Sequence, residues 1–139
     1  MNRLLALLAA GLLAGCATSS HQATQIVSSD EPPGFLVVAT NPAFADSARP
    51  TEVKLGKAED GVSAKVSLLL ANATRSAQSL NWRVEWLDAE GFPIQGQAVV
   101  ARTVTVPALG YQTVVAVATS PKAAKFRIQL TELQAAATR

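Results

Sequence analysis

The chain contains one cysteine, Cys16, and one histidine, His21, in the stretch "CATSSH". A serine or cysteine nucleophile in acyl transfer needs a base within hydrogen-bond reach, and histidine supplies it most often. With His21 as the only candidate, far out in a polar segment, a Ser-His or Cys-His centre cannot be assembled. Zinc and copper sites built from His and Cys fail for the same reason. "LDAEG" brings Asp88 and Glu90 close together, but it lacks the further acidic positions of a calcium loop, so turn chemistry is the expected role. Paired carboxylates that cleave a glycosidic bond stand roughly 5–10 Å apart across a cleft. Glu85 instead falls on the outer face of a predicted strand, and Asp88 and Glu90 fall in a turn, where acids are ordinarily solvated. "NAT" at 72 to 74 matches a glycosylation acceptor and is read as a loop. The expectation is a non-enzymatic protein with no metal and no cofactor.

Cys16 has a different chemistry available. It follows "MNRLLALLAAGLLAG", in which Arg3 precedes twelve residues that are all Leu, Ala or Gly. Such a run is too short to span a bilayer as a helix, which takes about 20 residues, but it has the length of an export signal. Leu13, Ala14 and Gly15 lead directly into Cys16, an arrangement that resembles the lipobox of bacterial lipoproteins. The resemblance implies a diacylglycerol on the Cys16 sulfur, cleavage just before it, and acylation of the new amino terminus. Each buried methylene contributes about 0.8 kcal/mol, so two or three chains hold a protein firmly on a membrane. Ala17 rather than Asp follows the cysteine, and similar lipoproteins go on to the outer membrane and face the periplasm.

Removing Arg3 with the leader leaves eleven Lys and Arg against ten Asp and Glu. No run of like charge exceeds two residues, so the electrostatic footprint of a nucleic-acid-binding protein is missing. A single cysteine also leaves none for a disulfide.

Composition divides the chain into a leader at 1–15, an acylated cysteine with a flexible tether at 16–33, a β-sandwich domain at 34–133 and a frayed tail at 134–139. The tether, rich in Ser and Thr and closed by two prolines, predicts a root-mean-square span of roughly 20–25 Å. The domain is written in strands. In "VSAKVSLLL", Val62, Ala64, Val66, Leu68 and Leu70 alternate with Ser63, Lys65 and Ser67, and "LNWRVEW" repeats the pattern with Leu80, Trp82, Val84 and Trp86 on one side. Tryptophans at i and i+4 of an exposed strand would offer a stacking platform, yet a face shared with Leu80 and Val84 is expected to pack into a core. Further strands are predicted at "FLVVA", "TEVKL", 92–94, 99–106, 111–118 and 126–130, about eight in all. No segment carries a sustained helical period with caps, although "SPKAAK" has the composition of one turn. Many short strands with one alternating face predict an all-β antiparallel sandwich, with a closed barrel as the other arrangement.

Asn72 after a hydrophobic strand, then Trp82, Arg83, Trp86, Asp88 and Gly91, then a final strand from Phe126 to Leu130, form a series that resembles the YcfL-like family of bacterial periplasmic lipoproteins. The chain departs from that pattern in having Trp82 where tyrosine is common and Leu87 where an aromatic is common. The resemblance implies an immunoglobulin-like β-sandwich, no established activity and no catalytic residues. It also implies genes that can lie near lipoprotein activators of peptidoglycan synthases. The expected function is an outer-membrane-anchored interaction module that binds another envelope protein. The alternative is a sandwich that holds a small molecule, glycan or lipid, which requires a partly apolar pocket of several hundred Å³.

Overall fold

Alternation along the sequence becomes two faces of a sheet. In a computed structural model of the chain, residues 24–29, 35–39, 42–97 and 99–133 are described. The leader, Cys16, His21 and the tail at 134–139 lie outside them. The elements are β1 (Thr24–Ser29), β2 (Phe35–Ala39), α1 (Pro42–Ser47), β3 (Arg49–Lys57), β4 (Ala64–Ala71), β5 (Gln78–Leu87), β6 (Arg102–Val106), β7 (Tyr111–Val117) and β8 (Lys125–Glu132). Strands β2-β1-β8-β5-β6 form one sheet and β3-β4-β7 the other. Every ladder pair between these strands is antiparallel.

β4 buries Ala64, Val66, Leu68 and Leu70 and leaves the residues between them half-exposed, as its alternation predicts. Leu80, Trp82 and Trp86 of β5 and Phe126, Ile128 and Leu130 of β8 supply much of the opposing wall. Fully burying one such side chain contributes about 1.5–3 kcal/mol, so this cluster is what joins the sheets. The result is an all-β sandwich. It is not a closed barrel, because β6 and β7 end different sheets and do not pair with each other.

Three expectations are corrected. The predicted tether runs into the fold, since residues 24–29 form β1, paired with β2 on one side and β8 on the other. Its inward row contains Gln25, which breaks the apolar alternation and hides the strand in the sequence. Residues 92–94 form no strand, only an isolated bridge between Leu87 and Pro93. A helix exists where none was expected. Pro42 opens α1 at a position whose N–H would be unbonded anyway, and Phe44, almost fully buried, anchors the helix in the core.

Gln25 explains why so short a helix holds its place. Its Nε2 donates to the carbonyl oxygens of Ala48 at 2.9 Å and Phe44 at 3.4 Å, meeting carbonyls that the helix end leaves over. Ala48 N and Ser47 Oγ also donate to Phe44 O, at 3.0 and 3.1 Å. Between β3 and β4, Asp60 accepts from the backbone N–H groups of Val62 and Ser63 and from the Ser63 hydroxyl. The Ser63 hydroxyl first, and then the two N–H groups, hold this carboxyl below its usual pKa.

Candidate functional site

The residues singled out in the sequence separate into two kinds once placed. Asn72, at the end of β4, is buried and its carboxamide is fully used. Nδ2 donates to Ser76 O at 2.8 Å and Val106 O at 3.3 Å, while Oδ1 accepts from the N–H and hydroxyl of Thr74 at 2.9 and 2.7 Å. Asp88 forms the expected turn. Its Oδ1 accepts from Glu90 N at 3.0 Å and Phe92 N at 2.9 Å, and Gly91 takes a φ of 91° that other residues adopt only with strain. These residues shape loops.

Arg83, Glu85, Arg127 and Gln129 line a hollow of about 340 Å³ on the outer face of the five-stranded sheet, beside Ile26 and Val99. Their polar groups already serve one another. Arg83 Nε and Nη2 donate to Gln129 Oε1, and Arg127 Nη1 sits 2.9 Å from Glu85 Oε2. A surface pair of this kind contributes about 0–1 kcal/mol.

A second cavity lies between the sheets. It measures about 380 Å³ and opens beside the connection from β5 to β6. Trp82 and Trp86 form its floor, each only 6% exposed, so they pack in the core as expected and also face this space. Gln97 and Val100 come from the connection, Arg102 from β6 and Val117 from β7. Register explains Arg102: it stands directly opposite Trp82 on the neighbouring strand, with its guanidinium carbon 5.9 Å from the indole centroid. Gln97 Nε2 is buried and has no hydrogen-bond partner. Sequence reading missed Gln97, Val100 and Arg102 because the connection has no period; only the pairing of β5 with β6 would have pointed to Arg102. Among the described residues, no three His, Cys, Asp or Glu side chains come together as metal ligands.

A family described as "protein of unknown function (DUF1425)" matches residues 37–132, most of the sandwich and all of the loops just described. The chain belongs to DUF1425. A DUF1425 member from Shewanella sp. pv-4, known from a crystal structure, superimposes with a TM-score of 0.56 at 12% identity, over 84% of this chain and 94% of that one. The crystal structure of Campylobacter jejuni cj0090 superimposes with a TM-score of 0.50 at 17% identity, over 60% of this chain and 82% of that one. At such identities the likeness concerns the DUF1425 fold alone. No curated protein matches the sequence.

Proposed function

We infer that this DUF1425 chain is a YcfL-like, non-enzymatic lipoprotein of the bacterial outer membrane. It faces the periplasm and binds another envelope protein, in the machinery of peptidoglycan synthesis, by strand addition. The lipobox-like "LLAGC" supports the anchor. Among the described residues, no helix is long and apolar enough to cross a membrane.

The observation that carries the binding mode is the contrast between sheet edges. An edge strand presents unpaired N–H and C=O groups, and proteins guard it with charge, proline, bulges or brevity. β3 is guarded by Pro50, by the register shift between Pro50 and Glu52, and by Lys54 and Lys57. β2 and β6 have only five residues each, and β6 carries Arg102. β7 has none of these devices: "YQTVVAV" is seven residues long, without charge or proline, and Tyr111, Val115 and Val117 are exposed. It pairs with β4 on one side only, in a sheet two strands narrower than its partner sheet. An extended segment added there gains main-chain hydrogen bonds along its length.

The anchor and the edge are tested separately. Mass spectrometry of the mature protein should find diacylglyceryl on Cys16, and Cys16→Ser should release the protein from membranes; a free thiol would remove the anchor from this reading. For the edge, a photo-cross-linking residue at Thr113 in living cells should give a protein adduct that the same residue at Lys54 does not. Val115→Lys should lower the Thr113 yield at least about fivefold, a charge being the natural guard of an edge. Equal adducts from both positions, or an adduct with a second copy of the chain alone, would overturn binding of another envelope protein at β7.

A further inference from the structure

We propose that the cleft between the two sheets is a binding site for a small organic anion with an apolar body, an arylalkyl carboxylate being the simplest example. The cavity borders β7 through Ala116 and Val117, but the proposal does not rest on strand addition there.

The size is right for such a molecule. At about 380 Å³ the cavity falls within the range of about 300–1,000 Å³ that small-ligand pockets occupy. Trp82 and Trp86 on the floor, with Val84, Ala116 and the exposed Val100 around them, give an apolar body surfaces to cover. Aromatic walls of this kind favour a flat ring, through edge and face contacts beyond the area buried.

The polar groups specify the rest of the ligand. Gln97 Nε2 is a buried donor with nothing to donate to. Leaving such a group unmet carries a desolvation penalty that an arriving acceptor removes. Arg102, exposed at the rim, stands over Trp82, and no Asp or Glu lines the cavity to pair with it. Exchanging the amide atoms of Gln97 would set an equally orphaned oxygen there, but Arg102 still selects for negative charge. A carboxylate is acceptor-only, so it satisfies the amide and the guanidinium at once. In the outer hollow, by contrast, Arg127 is ion-paired with Glu85 and Arg83 is held by the Gln129 amide oxygen.

The chain has only two tryptophans, and both line this cavity, so its intrinsic fluorescence reports on the site directly. The full-length acylated protein in phospholipid nanodiscs is titrated with 3-phenylpropionate and, separately, with the uncharged 3-phenylpropanamide, followed by indole emission and by calorimetry. The carboxylate should bind saturably at millimolar concentration or below, at least about tenfold more tightly than the amide, the difference one well-placed charged hydrogen bond makes. Arg102→Gln should bring the two affinities together. Gln97→Glu, nearly isosteric and set in a surface loop, should weaken the carboxylate about tenfold or more through repulsion. Unchanged thermal midpoints in both variants would show that the fold persists. Equal affinity for acid and amide, binding that neither substitution alters, or no saturable signal by either method would each overturn the proposal.

Discussion

Replacing Asn72 by alanine is expected to destabilise the sandwich by roughly 2–4 kcal/mol and to lower its thermal midpoint by roughly 10–25 °C. Four hydrogen bonds end on this one carboxamide, and the group is buried. Their loss is not local. Asn72 N donates to Gly110 O and Leu109 N donates to Thr74 O, both at 2.9 Å, so the loop after β4 and the turn from β6 to β7 are stitched across the same residue. Removing the side chain leaves Val106 O without its side-chain donor and the Thr74 N–H without its acceptor, while the Thr74 hydroxyl keeps Ser76 O. Asn72→Asp separates the contributions. It keeps an oxygen for Thr74 but turns a carboxylate toward the carbonyls of Ser76 and Val106, and it should cost at least as much as alanine near neutral pH, with part of the loss recovered on protonation in acid. Urea unfolding measures both. A change below about 0.5 kcal/mol for Asn72→Ala would show that the loops stand without it.

Phe44→Ala is expected to cost a further large amount, roughly 3–5 kcal/mol, by leaving a cavity where the helix meets the core. The ring is 2% exposed and belongs to the same hydrophobic cluster as Val27 of β1. A helix of six residues is too short to persist alone. Without the ring, α1 should detach, and Gln25 Nε2 would lose the carbonyls of Phe44 and Ala48 to which it donates. Hydrogen exchange should therefore quicken in β1 along with α1, while the ladder between β3 and β4 stays protected. Exchange rising only within 42–47 would mean that the helix is an ornament on the fold.

Both substitutions concern features that the sequence revealed unequally. The strands β4 and β5 were legible because each buries one row of aliphatic and aromatic residues and exposes the other, which is the pattern that period two reads. Asp88 and Gly91 were legible because their side-chain and backbone chemistry is local to one turn. β1 escaped because a buried glutamine occupies its inward row, and glutamine is acceptable there only through a helix end 19 to 23 residues later. α1 escaped because one phenylalanine, not a repeating stripe, fixes it. The cleft escaped for a third reason: Trp82 and Trp86 read as core and are core, while the groups that give the space its chemistry arrive from a connection without a period and from an edge strand. Nothing along the sequence brings Gln97 and Trp86 together; the fold does.

The place of β1 in its sheet has a mechanical consequence. Seven residues, 17–23, separate Cys16 from Thr24, a reach of at most about 29 Å, so tension from the lipid proposed on Cys16 would enter the protein along β1. That strand is flanked on both sides, with five register pairs to β2 and five to β8. A pull along its axis loads both ladders in shear, and their bonds must fail together, whereas a terminal edge strand would peel open one pair at a time. The fold thus resists being drawn apart at the point where the proposed anchor would load it.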